Sequence, residues 1–189
     1  MIRIAIVGGI GSGKTFISNL FGYPVFNADK IVSRIYSSND RIFYKVKKNL
    51  PKFFSTLPIK KEELIKAILQ NKNNIKIISK IVHPEVRKEL KKFLKTHNNK
   101  KAVVLDIPLL LENNLNKKKD VIIYIHSSQK ERLKRIKNRK NFNNSVFQKL
   151  KKFQLPLNFK KNRSDYVIKN NFKKDSACKN VKHILTKIL

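Results

Sequence analysis

The sequence predicts an α/β fold in which a parallel sheet of about five strands is flanked by helices and carries a helical insert and a helical lid. Three observations lead there. Short, continuously apolar runs alternate with longer segments of helical spacing, the first run ends in a glycine-rich turn that opens a helix, and two stretches show helical spacing with no strand between them. At 189 residues the chain is long enough for one compact domain with a smaller inserted unit.

Taken in order, Ile2 to Val7 is apolar apart from Arg3, the pattern of a strand buried on both faces of a parallel sheet. Helical spacing follows over Lys14 to Phe21. Pro24 to Phe26 is the second short apolar run, and residues 40–101 then contain no convincing strand, although Glu62 to Leu69 and Glu85 to Leu94 have helical periodicity. This stretch is the expected insert. Strands three and four are expected at Ala102 to Ile107 and Val121 to Ile125, helical spacing returns at Gln129 to Arg139, and a fifth strand is expected at Tyr166 to Ile168. Residues 127–160, basic and helical in pattern, are the expected lid. The core then comprises residues 1–39, 102–126 and 161–189.

Composition excludes several classes. With 41% hydrophobic residues and only 5 Gly and 6 Pro, the chain is neither collagen-like nor a disordered polymer, and one Cys permits no internal disulfide framework. A reducing, cytoplasmic setting is expected. The apolar stretch from Ile4 to Ile10 is too short to span a bilayer and runs into glycines and Lys14, so no membrane association is expected. The net charge of +32 invites a nucleic-acid reading, but 36 Lys, 8 Arg and 21 Asn are spread along nearly the whole chain, as a general drift toward Lys, Asn and Ile would leave them. Non-specific attraction to polyanions follows; a specific nucleic-acid partner does not. A monomer is expected.

Chemistry concentrates in Gly8-Gly9-Ile10-Gly11-Ser12-Gly13-Lys14-Thr15, which fits G-x-x-x-x-G-K-[ST] between a predicted strand and a predicted helix. Such a turn is the phosphate-binding loop of P-loop NTPases. Backbone N–H groups from Ile10 to Thr15 wrap a phosphate, Lys14 reaches the β- and γ-phosphates, and the Thr15 hydroxyl ligates Mg²⁺. A GTPase is excluded: Asp106 is followed by Ile107-Pro108-Leu109 where a DxxG switch is needed, and Asn116-Lys117-Lys118-Lys119 lacks the Asp of a guanine-reading motif. Asp29, after the second strand, reads either as a proton acceptor for a hydroxyl substrate or as a helix N-cap. Asp106 reads either as a Walker B-type acid or as an Asp that merely ends a strand before Pro108.

The motifs then become specific. Ala28-Asp29, Ile81-Val82-His83-Pro84, Asp106-Ile107-Pro108-Leu109-Leu110-Leu111-Glu112, Arg132-Leu133-Lys134-Arg135 with Arg139, Gln154-Leu155-Pro156, and Asp165-Tyr166-Val167-Ile168 with Asn170-Asn171 follow the phosphate loop in that order. In this set the sequence resembles the dephospho-CoA kinase family over nearly its whole length. The resemblance implies transfer of the γ-phosphoryl group of ATP to the 3′-hydroxyl of dephospho-CoA, with ATP and Mg²⁺ required. It implies Asp29 as base, Lys14 and Arg135 as catalytic cations, and Arg139 and Asn171 beside the nucleotide. His83, Pro84, Asp106, Pro108 and Leu109 would lie with Asp29 on the acceptor side. Composition alone leaves His83 equally readable as a structural histidine and the lid arginines as solvated cations. A nucleoside monophosphate-type P-loop kinase and a nucleic-acid-binding P-loop ATPase are the alternative functions.

Four positions depart from the family pattern. Asn27 stands where the family usually has a first Asp, Lys140 replaces an acid, Leu150 stands where Arg is common, and Phe172 replaces a glycine.

Overall fold

The computed structural model describes residues 1–139 and 142–189, so Lys140 lies outside the described residues. Along the chain run β1 (Ile2–Gly8), α1 (Lys14–Leu20), β2 (Val25–Asn27), α2 (Ala28–Ser38), α3 (Asp40–Asn49), α4 (Lys61–Gln70), α5 (Lys72–Thr96), β3 (Ala102–Asp106), β4 (Val121–His126), α6 (Gln129–Lys137), α7 (Asn144–Lys152), α8 (Leu157–Asn162), β5 (Tyr166–Lys169) and α9 (Lys174–Ile188). The five strands pair in the order β2-β3-β1-β4-β5, and every pairing is parallel. Among the described residues no helix is long and apolar enough to cross a membrane.

Contacts divide the chain into two compact units. The first comprises Met1–Asn27, Leu94–Phe142 and Lys151–Leu189, and holds the whole sheet. Its core sets Ile4, Ile6, Val104, Ile123, Ile125 and Ile168 of the strands against Ile17 and Phe21 near α1 and Ala177, Val181 and Ile184 of α9. Side chains at i, i+4 and i+7 of α9 therefore form the stripe that covers the sheet. Because successive side chains on a strand point to opposite faces, the uninterrupted burial from Ile4 to Val7 requires cover on both sides. Register places Ile6 of β1 and Asn27 of β2 on either side of Asp106, and Gly8 beside Ile125. The ends of β1, β2 and β3 thus meet at one level.

Strand limits differ slightly from those expected. β2 begins at Val25, not Pro24, because proline has no N–H to give to a ladder; its carbonyl still accepts the Val104 N–H at 2.9 Å. β3 stops at Asp106, one residue early, where the chain turns through Pro108.

The second unit comprises Ala28–Phe93 and Asn143–Leu150. It starts at Ala28 and also takes in residues 143–150. One cause of the latter is explicit. The Lys149 ammonium donates to the Ile68 and Leu69 carbonyls at 3.0 and 2.7 Å, filling acceptors left open at the end of α4. α5 contains the helical spacing expected over Glu85 to Leu94 and extends well beyond it, running 25 residues straight through Pro84. Ile78, Val82, Val86 and Leu90 recur every four residues and are all buried, so the apolar stripe on both sides of the proline outweighs the one hydrogen bond it removes.

His83 sits on this helix, half-buried. Desolvation, with a smaller contribution from the Arg87 guanidinium one turn on, holds its imidazole below the ordinary histidine pKa. The unfolded chain therefore takes up that proton more readily than the folded one, so stability is fully present above about pH 6.5 and is lost as pH falls below it. His83→Gln is expected to flatten the fall of the thermal midpoint between about pH 7 and pH 5, measured by circular dichroism.

Candidate active site

The phosphate loop connects β1 to α1 within the first unit. Its Gly13, immediately before the helix, has φ +88°, and a Cβ there would run into the Asn170 side chain and lie 3.2 Å from the Phe172 ring. Glycine is required both by the left-handed backbone and by this close approach. Gly11 is held in the same way, since a Cβ on it would come within 2.8 Å of Ile136 on α6. The Lys14 ammonium folds over the loop, donating to the Gly8 and Gly9 carbonyls at 3.3 and 3.0 Å. Ser12 is 1% exposed, and its hydroxyl is buried without a hydrogen-bond partner.

Asn170 locks the loop from outside. Its amide donates to the Ser12 carbonyl at 2.9 Å while its oxygen accepts the Phe172 N–H at 3.0 Å. Phe172 in turn adopts φ +62°, a conformation that a bulky side chain rarely takes. A glycine at this position would sit without strain. Asn171, the residue expected beside the nucleotide, is exposed, and its side chain accepts the Lys173 N–H at 3.1 Å. Of the paired asparagines it is therefore Asn170 that touches the loop. The sequence contained the pair but no signal of which member faces inward.

At the level where the strand ends meet, Asp106 is 3% exposed. Its Oδ2 accepts the Thr15 hydroxyl at 2.5 Å and the Asn27 amide at 2.6 Å. A charge so deeply buried needs hydrogen-bond donors, and the two present come from the first turn of α1 and the last residue of β2. The departure at Asn27 gains a physical meaning here, because a carboxylate at that place would face Asp106 without a proton to donate.

The lid arginines do not behave alike. Arg132 donates to the Ser127 carbonyl at 2.5 Å, and its Nε lies 3.3 Å from the place a Cβ of Gly9 would occupy. Arg135 stacks its guanidinium over the Phe172 ring at 4.3 Å. Arg139 is exposed. The first two are therefore brought to the phosphate loop, and Arg132, which no role had been expected to single out, is the one packed directly on it. Pro108 and Leu109 form the turn after Asp106, half-buried, with the Leu109 carbonyl accepting both the N–H and the side-chain amide of Asn113.

Asp29 and His83 belong to the second unit. α2 begins at Ala28, so Asp29 lies inside its first turn instead of preceding it; there an exposed carboxylate complements the positive end of the helix. Beyond Pro84, Glu85 and Glu89 line a polar cavity of about 290 Å³ together with Arg34, Ser38, Asn39 and Arg41, and Arg34 and Glu89 form an ion pair.

The dephospho-CoA kinase family model matches residues 2–175. A dephospho-CoA kinase of Wolbachia sp. subsp. Brugia malayi (strain TRS) is 34% identical over 187 residues, covering 96% of this chain and 95% of the relative. Among solved structures, one from Thermus thermophilus superposes with a TM-score of 0.81 at 24% identity, covering 100% of this chain and 98% of the other. A dephospho-CoA kinase from Campylobacter jejuni superposes with a TM-score of 0.62 at 22% identity, with the same coverage. These two likenesses concern the fold.

Asn170→Ala should loosen the loop without unfolding the sheet, because it removes two hydrogen bonds at one buried point. Each is worth about 1 kcal/mol and a buried orphan adds more, so nucleoside triphosphate affinity is expected to fall roughly tenfold or more. Asn171→Ala should leave it nearly unchanged. Equilibrium titration with a fluorescent triphosphate distinguishes the two residues.

Proposed function

This chain belongs to the dephospho-CoA kinase family, and we propose that it phosphorylates the 3′-hydroxyl of dephospho-CoA with ATP, giving coenzyme A and ADP. The observation that carries this reading is the joining of the phosphate loop to a buried acid, through Thr15 and Asp106, in a chain that matches the family almost end to end.

In this reading the loop's N–H groups hold the β-phosphate and Lys14 turns from its loop carbonyls to the β/γ oxygens. Phosphoryl transfer involves little covalent work for the protein, so positioning and charge stabilisation dominate. Arg135 supplies a planar cation that can leave Phe172 for the phosphates, and Arg139 adds a further cation from the end of the lid. Asp29 is assigned the proton of the acceptor hydroxyl, and His83, Pro84, Asp106, Pro108 and Leu109 are each assigned to binding the acceptor. Asn171 is assigned to the nucleotide side, where Asn170 already braces the loop. We keep residues 40–101 as the acceptor insert and 127–160 as the lid.

Among the described residues no group of three or more His, Cys, Asp or Glu side chains could hold a metal ion by itself. The residues that are present nevertheless fit Mg²⁺, which takes hard oxygen ligands and is commonly shared between one or two protein groups and substrate phosphates. Thr15 would hold it, with the Asp106 carboxylate behind the hydroxyl at 2.5 Å. When bound, the ion neutralises charge on the β- and γ-phosphates. We further assign a cytoplasmic, monomeric enzyme whose lysine-rich surface attracts polyanions without specificity.

Turnover with ATP, Mg²⁺ and dephospho-CoA, followed as coenzyme A formed, tests the assignment. Phosphorylation of a nucleoside monophosphate in place of dephospho-CoA would overturn it, as would turnover that depends on RNA or DNA. Lys14→Ala should lower the rate by about 10²-fold or more with the fold intact, since it removes a charge aimed at the transferring group. Asp29→Asn keeps size and removes the charge, whose effect at an exposed helix end is at most about 1 kcal/mol of stability, so a rate loss of roughly 10²–10⁴-fold with unchanged ATP affinity marks a base. A rate within about threefold of wild type would leave Asp29 a helix-end charge.

A further inference from the structure

Lysine is almost never fully buried, yet in a chain carrying 36 of them Lys160 is 1% exposed. Its ammonium meets the Glu112 carboxylate at 2.6 Å, and the Glu112 side chain is itself only 10% exposed. The same oxygen, Oε1, accepts the Leu155 N–H at 3.0 Å. One carboxylate at the end of the turn after β3 thus holds two points of the segment that returns from the lid. Between those points lies the start of α8, with the Lys160 N–H bonded to the Pro156 carbonyl at 3.1 Å. Leu157, the first residue of that helix, places its Cδ2 3.3 Å from where a Cβ of Gly9 would stand, on the spot Arg132 also approaches.

We propose that Glu112 and Lys160 are positioning residues for the phosphate loop: their buried ion pair fixes α8, and through Leu157 it fixes the backbone of Gly9 and the neighbouring Arg132. The pair touches no substrate. It rests on the reading of residues 8–15 as a nucleotide site and adds to it residues that no motif for phosphate binding contains. A buried ion pair is a poor way to gain stability, because desolvating both charges cancels much of their attraction. What it supplies here is direction. A carboxylate with two fixed donors holds a helix start in one register, which a layer of apolar side chains would permit to slide.

The experiment compares ATP affinity, acceptor KM and thermal midpoint in wild type, Glu112→Gln, Lys160→Met and the double variant, all measured well below their midpoints. Lys160→Met leaves a buried charge unpaired and is expected to destabilise strongly. In the double variant both charges are gone and shape is kept, so the midpoint should return toward wild type. The inference requires that ATP affinity stay about tenfold weaker in that double variant, with the KM for dephospho-CoA within about twofold, because the loss concerns loop placement and not the acceptor. If ATP affinity recovers together with the midpoint, the pair is structural only and the proposal is overturned. Glu112→Gln retains the Leu155 acceptor and should fall between wild type and the double variant; affinity equal to wild type in it and in the double variant has the same overturning force. Lys14→Ala in the same titration separates the two readings. Wild type that binds no ATP removes the nucleotide site itself, whereas binding that needs Lys14 but ignores Glu112 and Lys160 removes only the positioning role.

Discussion

Everything at this site depends on a buried carboxylate being supplied with donors. Asp106 ends the strand beside β1, and at 3% exposure it cannot be solvated by water. Its two donors, the Thr15 hydroxyl and the Asn27 amide, arrive from α1 and β2, elements separated from it by 91 and 79 residues of chain. The parallel sheet makes the meeting possible, because all its strands end on the same edge and register puts Asn27 and Ile6 beside Asp106. The phosphate loop inherits its position from this arrangement. Had the strand order placed β3 away from β1, Thr15 would have no acid to meet.

The fold was legible because its signals are of the kind periodicity can carry. Buried strands such as Ile2–Gly8 and Ala102–Asp106 show as apolar runs, the first interrupted only by Arg3 and the second closed by Asp106. Of α5 only the spacing over Glu85 to Leu94 was legible, since a sequence gives the local cost of Pro84 and not the packing that carries the helix through it. Division into units was harder to read. Residues 143–150 join the second unit partly through an ammonium that caps α4, a contact between segments 80 residues apart that leaves no local pattern.

At the site, legibility followed the chemistry. The glycines, Lys14 and Thr15 show in sequence because backbone wrapping of a phosphate demands them at fixed spacing. Contacts that brace the loop are different. Asn170, Arg132 and Leu157 each reach it from a separate element, and only the folded chain shows that a Cβ on Gly13 or Gly11 would collide with Asn170 or Ile136 and that one on Gly9 would press on Arg132 and Leu157. Lys160 was the least legible of all. In a chain with 36 lysines, the one that is buried among the described residues looks like the others until its partner, 48 residues earlier, is seen.

The net charge of +32 also takes on a definite place in this picture. Site cations are few and individually held: Lys14 by two loop carbonyls, Arg132 by the Ser127 carbonyl, Arg135 by the Phe172 ring. Lys160, by contrast, is committed to a carboxylate. The surrounding lysines contribute a field that draws anions toward the protein from a distance, and that field is screened within about 10 Å at ordinary ionic strength. Within that distance it attracts anions without selecting among them. Arg135 rests on Phe172, whose N–H is held by Asn170, and Asn170 also holds the loop that carries Lys14.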